Sequence, residues 1–295
     1  MVFKAWLDAR GDGTVIQEAM LQWLQFHGNR SEASFVYHPW LIAKLDPSLI
    51  QKPLTQWLDL NQHTPQAAFI YSAWLDALAP PQAIQAPMLN WFARNKGVKS
   101  EFHVMRSWLE AKADPTPLKP VLQRWLPENQ DTYKTRLIYS AWLEAGGDPA
   151  TIEDAFDSWL YEHETKPLTH QVYSAWLNAG ANPDFIKDAI LSWLAQHGQD
   201  PNANVPLTTW LNKDHDPAAF KDATLSWLDH NAHTKRAINL ITAWLQKGQD
   251  PKMMEKYVQQ WTQTWATHEN YPLPDEAKAL QTLWERCSSP SRTDE

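Results

Sequence analysis

Tryptophan recurs along this chain at a fixed spacing of 17 residues, and this spacing limits the folds open to it. The chain has 18 tryptophans in 295 residues, and all but Trp265 and Trp284 lie on the spacing. A regular spacing kept along nearly the whole chain indicates a tandem array of similar structural units. The sixteen regularly spaced tryptophans are at positions 6, 23, 40, 57, 74, 91, 108, 125, 142, 159, 176, 193, 210, 227, 244 and 261.

The repeating unit is 34 residues long, because two kinds of 17-residue segment alternate. In both kinds, apolar or small residues lie seven, four and three positions before tryptophan and one position after it, which is typical of one face of an α-helix. The second segment begins with Asp-Pro or Asn-Pro in six units, as at Asp148-Pro149, and these residues suit the start of a helix. We therefore predict a first and a second helix in each unit. Glycines that would end the first helix in the left-handed conformation are Gly146, Gly180 and Gly248.

A column of asparagine or histidine lies four residues after the tryptophan of the second helix. Asparagine tolerates the left-handed conformation, and both side chains can hydrogen-bond the terminal carbonyl groups of a helix. The sequence therefore predicts that this column ends the second helices. Its members are His27, Asn61, Asn95, Asn129, His163, His197 and Asn231.

Four prolines interrupt the helical pattern of the second to fourth units. Pro53, Pro87 and Pro120 fall in second helices, and Pro39 falls in a first helix. A proline inside a helix removes a backbone hydrogen bond and bends the chain. We predict that these helices are kinked or that the second helices start late, and the altered curvature could also widen a groove for a ligand.

These patterns predict an all-α fold, specifically an α-solenoid of eight 34-residue helix-turn-helix repeats over residues 1–272, forming a single domain. One helical hairpin cannot bury its own apolar stripe, so consecutive hairpins must stack. Each buried indole N–H then needs a backbone carbonyl or a loop side chain as acceptor. A capping helix is predicted over residues 273–287, because Ala277, Leu280 and Trp284 repeat the stripe, and a frayed tail follows over 288–295. The first repeat has no such cap, so we predict that this end self-associates, meets a partner or follows a missing upstream segment.

In period and layout the chain resembles the tetratricopeptide and pentatricopeptide superfamily of helical-hairpin repeats. The segment from Val172 to Gly180, followed by Ile186, Ala189 and Pro201, is similar to a pentatricopeptide unit. The resemblance extends over all eight units and implies an open superhelix that binds its ligand along the concave surface. For the pentatricopeptide family, that ligand is usually RNA.

Charge and composition disfavour several classes of protein. The 26 basic and 34 acidic residues give a net charge of −8, and this charge disfavours nucleic-acid binding. One cysteine, Cys287, excludes a disulfide scaffold and is typical of a reducing compartment, so we predict a cytoplasmic protein. No apolar run is long enough to cross a membrane, and the first residues do not resemble a signal peptide. Without a phosphate loop, a nucleophile elbow or a paired-histidine motif, we predict no enzymatic activity, no cofactor and no metal site.

The variable polar positions of the first helices form the candidate binding surface. They lie two residues before and two residues after tryptophan, so they are four apart and share one face of the helix. These positions differ between repeats while the packing residues stay similar, as expected of a recognition surface or of any solvated face. The candidate partner-binding residues are His38, Ser72, Asp76, Arg106, Glu110, Ser140, Glu144, Ser174, Asn178, Thr208 and Asn212.

The functional prediction is a non-enzymatic scaffold that holds a protein or peptide partner along a concave surface formed by the first helices. Two alternatives remain open. An RNA-binding repeat protein would need a basic stripe on that surface. An enzyme built as a closed helical toroid would need a deep pocket and could use the row of carboxylates two residues after tryptophan, namely Asp8, Asp76, Glu110 and Glu144.

Overall fold

The structure is a computed structural model that describes residues 2–265 and 273–289. These residues form seventeen α-helices joined by short turns, with no strand among them, so the all-α prediction is confirmed. The first helices are α1 Val2–Asp8, α3 Ser34–Ile42, α5 Pro65–Asp76, α7 Ser100–Glu110, α9 Arg136–Glu144, α11 His170–Asn178, α13 Asn204–Asn212 and α15 Ala237–Gln246. The second helices are α2 Gly13–His27, α4 Gln51–Asn61, α6 Gln85–Arg94, α8 Lys119–Asn129, α10 Glu153–His163, α12 Asp184–His197, α14 Lys221–Asn231 and α16 Glu255–Trp265. The last helix is α17, Leu273–Ser288.

The chain divides into two compact units, residues 1–156 (unit 1) and residues 157–295 (unit 2). In unit 1 the first helices pack side by side in chain order from α1 to α9, and in unit 2 α11, α13, α15 and α17 do the same. Within the described part of each unit, consecutive second helices pack against each other less extensively than consecutive first helices do. Neighbouring hairpins of a unit therefore meet mainly through their first helices.

Aspartate fixes the turn that leads into most second helices. The carboxylates of Asp46, Asp148, Asp216 and Asp250 each accept the backbone N–H of the residue two positions later, at 2.9, 3.1, 2.9 and 3.0 Å. The proline that follows each aspartate begins a 3₁₀ turn, which precedes the α-helix. The Asp-Pro pairs therefore cap the second helices as the sequence predicts.

The early prolines of three second helices lie in the first turn of the α-helix. These helices begin six residues before tryptophan, but so do α10, α14 and α16, which have no early proline, so the late start is not specific to proline. Pro53, Pro87 and Pro120 are the third, third and second residues of α4, α6 and α8. At these positions the backbone N–H would have no helical acceptor, so the missing donor costs nothing. Pro39 differs, because it lies well inside α3.

Each of the eight first helices is followed by a residue with a positive φ. This residue lies four positions after tryptophan and two positions after the last residue of the helix. Gly146, Gly180 and Gly248 adopt φ values of 83, 71 and 66°, which confirms the predicted left-handed ends. The other five repeats force a side-chain-bearing residue into the same conformation, with φ between 54 and 61°. These five residues are Arg10, Lys44, Leu78, Lys112 and Asp214.

We expect Leu78→Gly to raise the free energy of unfolding by about 0.5–1 kcal/mol, because glycine removes the left-handed strain at this position. Leu78 is 88% exposed, so its side chain contributes little packing. Urea unfolding followed by circular dichroism should show a higher midpoint at an unchanged slope. As the reverse control, Gly146→Ala should lower the free energy of unfolding. A Cβ at this position would meet no atom within 4 Å, so the cost comes from the positive φ alone. A lower midpoint for Leu78→Gly would contradict the conclusion that the left-handed conformation strains Leu78.

The regularly spaced tryptophans are the core of the hairpins. Fourteen of the sixteen are buried, whereas Trp6 is 44% exposed and Trp23 is half-buried. Both exceptions lie in the first hairpin, where α1 has no buried residue at all. The prediction that a partner, a second copy or an upstream segment covers this end stays a prediction.

The indole N–H groups make two kinds of hydrogen bond that recur along the hairpins. A first-helix tryptophan donates to the carbonyl six residues later, as Trp74 does to Pro80 at 2.9 Å. A second-helix tryptophan donates to the carbonyl 27 residues earlier, just before the first helix of its own hairpin, as Trp57 does to Arg30 at 2.8 Å. The predicted acceptors are therefore backbone carbonyls. Trp244 differs, because its ring nitrogen has no acceptor among the described residues.

The asparagines at the ends of the second helices bond the helix itself. The side-chain amides of Asn61, Asn95, Asn129 and Asn231 donate to the carbonyl of the tryptophan four residues earlier, at 2.9, 3.0, 2.9 and 3.1 Å. The predicted bond to carbonyls at the helix end is confirmed for the asparagines. It is not seen for His27, whose Nδ1 has no hydrogen-bond partner among the described residues, or for His197, whose Nε2 lies 2.8 Å from the Thr165 carbonyl outside its own helix. The left-handed conformation proposed for this column is wrong, because none of its members has a positive φ.

The last described helix, α17, packs against α15 and α16. Ala277 and Leu280 are buried in this contact, and the Trp284 indole donates to the Pro251 carbonyl at 3.1 Å. The helix occupies the range for which the sequence predicts a cap. Apart from Ser288 and Ser289, the predicted tail lies outside the described residues.

Candidate functional site

The first helices of unit 1 present a second, outward-facing set of side chains opposite their buried Trp-Leu pairs. These side chains lie five and two residues before tryptophan and two residues after it. Since the three positions are three and four residues apart, they form one stripe along each helix. We call this surface the first-helix face. In α3, α5 and α7 it consists of Phe35, His38, Ile42, Phe69, Ser72, Asp76, His103, Arg106 and Glu110.

A groove of about 480 Å³ runs across the first-helix face between α3, α5 and α7. We call it the unit 1 groove. Five of the eleven predicted binding residues line it, so the structure brings these five together. They are His38, Ser72, Asp76, Arg106 and Glu110.

The other predicted residues lie further along the first helices. Ser140 and Glu144 are on α9 in unit 1, where the Glu144 carboxylate pairs with Lys112 at 3.1 Å. Thr208 and Asn212 line a separate cavity of about 510 Å³ in unit 2. Asn178 lies exposed at the end of α11.

Ser174 is the predicted residue least suited to contact a partner. It is buried, and its hydroxyl donates to the His170 carbonyl of its own helix at 3.0 Å. The sequence pattern could not show this, because the three serines at this repeat position differ: Ser72 is partly exposed, whereas the Ser140 hydroxyl is buried without a hydrogen-bond partner among the described residues.

Three ion pairs neutralise most of the charge on the unit 1 first-helix face. Lys4 pairs with Asp8 at 2.5 Å, Arg106 with Glu110 at 2.7 Å, and Lys112 with Glu144 at 3.1 Å. Three of the four carboxylates in the row after tryptophan are therefore held by a cation from this chain.

Asp76 is the carboxylate of that row without an ion pair among the described residues. Partial burial and then the nearby Glu110 carboxylate raise the pKa of Asp76. The Ser107 hydroxyl donates to it, and Arg106 attracts it, but these effects only partly offset the rise. Asp76 is thus an incompletely compensated anion in the wall of the groove.

Burial disfavours the charged form of two histidines in the groove. Burial, and then the charge of Lys4, lower the pKa of His38. Burial, and then Lys134 and Arg106, lower the pKa of His103. The His38 ring packs edge-on against Phe69 with 6.3 Å between ring centroids, so it adds aromatic surface to the groove.

The column five residues before tryptophan, which contributes Phe35, Phe69 and His103 to this face, was not among the predicted binding positions. Phe69 is 61% exposed, and Ile42, in the column after tryptophan, is 59% exposed. The signal was present, because this column lies three residues before the polar position and therefore on the same side of the helix.

The described residues hold no group of three or more His, Cys, Asp or Glu side chains placed to bind a metal ion. Among the described helices, none is long and apolar enough to cross a membrane.

Comparison of the chain with family models, with curated proteins and with solved structures found no match in any of the three. The seventeen helices packed in neighbouring pairs are compatible with a helical-repeat architecture.

Proposed function

We propose that this chain is a non-enzymatic scaffold that binds a protein or peptide partner along its first-helix face. The observation that supports this most directly is the unit 1 groove, where exposed apolar, polar and charged side chains surround an open volume of about 480 Å³. Exposed apolar side chains gathered in a groove and rimmed by polar groups are typical of protein-interaction sites.

The proposal includes the finer architecture, an α-solenoid of eight 34-residue repeats in one array of the tetratricopeptide and pentatricopeptide kind. Its support is that consecutive first helices of each unit pack more extensively than consecutive second helices. Unequal packing of this sort curves a helical array toward its closer side. The first helices then line the concave surface.

A protein partner fits the groove better than a nucleic acid. A phosphate backbone requires free Lys or Arg side chains, whereas Arg106 in the groove is engaged by Glu110 and Asp76 adds negative charge. The pairing of three carboxylates with Lys or Arg also makes the row an unsuitable set of catalytic acids and bases. With its one cysteine, we place the scaffold in a reducing compartment, the cytoplasm.

Site-specific photo-crosslinking in the source organism tests this function. A benzophenone amino acid replaces Ser72 on the first-helix face, or Gln56 on α4 as the matched control on a second helix. We expect one reproducible protein adduct from position 72 and none from position 56. Nucleic-acid adducts without protein, or equal protein adducts from both positions, would contradict the proposal.

A further inference from the structure

One end of the unit 1 groove is apolar. Phe69 and Ile42 expose more than half of their side chains there. A second cavity of about 300 Å³ adjoins this end, because His38 and Phe69 line both, and its other walls include Phe35, Pro39 and Ile70. The two openings together offer room for a large apolar side chain beside Phe69.

The other end of the groove is acidic. Asp76 and Glu110 both line it, and Arg106 is held by Glu110. The other carboxylates in the same row each form an ion pair with a lysine or arginine, whereas Asp76 forms none. The Ser107 hydroxyl donates to it, and Arg106, which is paired with Glu110, attracts it without forming an ion pair. A cation from a ligand would give Asp76 the partner that its equivalents in other repeats obtain from this chain.

We propose that the unit 1 groove binds a cationic-apolar segment of a partner protein. A lysine or arginine of that segment lies against Asp76 and Glu110, and a neighbouring large apolar side chain lies against Phe69 and Ile42. This inference rests on the proposed function and adds the chemical class of the partner. Charge complementarity selects it over an acidic segment, which would meet two carboxylates at the polar end.

Binding of short synthetic peptides to the full chain tests the assignment. Four fluorescent peptide pools are used. The cationic-apolar pool has Lys or Arg beside Leu or Phe at its centre, and the anionic-apolar pool has Asp or Glu beside Leu or Phe. Two further pools carry either Lys or Arg alone, or Leu or Phe alone, among Ser and Gly. Fluorescence anisotropy at low salt gives the apparent Kd of each pool. We expect the cationic-apolar pool to bind at least tenfold more tightly than the anionic-apolar pool, and to weaken as salt is added.

Matched variants place the binding in the groove. Asp76→Asn should weaken the cationic-apolar pool by about fivefold, as for the loss of an exposed ion pair. Asp59→Asn is its control. Asp59 is exposed and lies two residues after Trp57 of a second helix, just as Asp76 lies two residues after Trp74 of a first helix. Phe69→Ser should also weaken this pool. Its control is Leu60→Ser, because Leu60 on α4 is 58% exposed, close to the value for Phe69. All four side chains are exposed, so the variants should keep the wild-type circular dichroism spectrum.

Different failures have different meanings. If the anionic-apolar pool binds more tightly, or if Asp76→Asn leaves cationic binding unchanged while Phe69→Ser weakens it, the cationic assignment is wrong and the binding function remains. If no pool responds to the groove variants while position 72 still crosslinks a cellular protein, the peptide-segment inference alone is wrong. If position 72 crosslinks nothing either, the proposed function fails as well.

Discussion

Replacing Trp74 with alanine is expected to lower the free energy of unfolding by about 3–5 kcal/mol. The Trp74 ring is fully buried in α5, and its indole N–H donates to the Pro80 carbonyl at 2.9 Å. Alanine would leave a large cavity between α5 and its neighbours, and it would remove one of the two hydrogen bonds that the Pro80 carbonyl accepts, the other coming from the Ala83 backbone N–H at 3.2 Å. Urea unfolding monitored by circular dichroism at 222 nm measures this loss, with the slope checked for a change in cooperativity.

Trp6→Ala is the matched control for this prediction. Trp6 occupies the same repeat position and makes the same kind of bond, to the Asp12 carbonyl at 3.0 Å, but it is 44% exposed. We expect a loss of roughly 1–2 kcal/mol, because less apolar surface returns to water. Equal losses at the two positions would show that burial between neighbouring hairpins is not what makes tryptophan stabilising here.

Arg124→Ala is expected to lower the free energy of unfolding by about 3 kcal/mol or more, which is unusual for a partly exposed residue. The Arg124 guanidinium on α8 pairs with the carboxylate of Glu101 on α7, and Glu101 is completely buried. Its second carboxylate oxygen accepts the Gly97 backbone N–H at 2.7 Å. Removal of the arginine leaves a buried carboxylate without a cation, and the cost of that burial appears in the unfolding free energy.

The repeats themselves suggest the control for this pair. Four repeats have a buried alanine at the position equivalent to Glu101, so Glu101→Ala should be tolerated better than Arg124→Ala. The double variant Glu101→Ala/Arg124→Ala should then recover most of the stability that Arg124→Ala loses. If the double variant is as unstable as Arg124→Ala alone, the buried charge is not the cause. These four alanines are Ala33, Ala67, Ala203 and Ala237.

The sequence predicted much of the local structure because each repeat obeys the same packing rule. Tryptophan every 17 residues specified one helix per segment, and the Asp-Pro pairs specified where most second helices begin. The glycine ends of three first helices were also predicted correctly. All of these follow from short-range patterns, which a single sequence displays.

Features in which one repeat differs from the others could not be predicted in this way. Leu78 adopts a left-handed conformation that its residue type disfavours. The Leu78 and Ala79 backbone N–H groups donate to the Leu75 and Trp74 carbonyls, as the equivalent groups do in two of the repeats that have glycine here. Glu101 lies seven residues before Trp108, in the apolar stripe, and the sequence alone does not show that Arg124, 23 residues away, pairs with it. Such departures are set by contacts in the folded chain and not by residue type.

Part of the candidate site was visible in the sequence. Ser72, Asp76 and Arg106, which belong to the polar column, line one groove, and their role in binding stays a prediction. The exposed Phe69 was missed, because an aromatic residue in a helical pattern is usually assigned to the core. The ion pair of Glu110 could be read from the sequence, because Arg106 lies four residues before it, whereas the residue four before Asp76 is Ser72.

The most direct test of the central claim is hydrogen exchange of the indole N–H groups, followed by NMR on the ¹⁵N-labelled chain. The claim is that the regularly spaced tryptophans are structural and that the ligand binds on the opposite side of the first helices. We predict strong protection for indoles that donate to backbone carbonyls in buried positions, such as Trp74 and Trp142, and much weaker protection for Trp6. Addition of the cationic-apolar peptides should shift the backbone signals of α3, α5 and α7 and leave the protection of these indoles unchanged. Rapid exchange of the buried indoles, or peptide-induced shifts centred on them, would contradict the account.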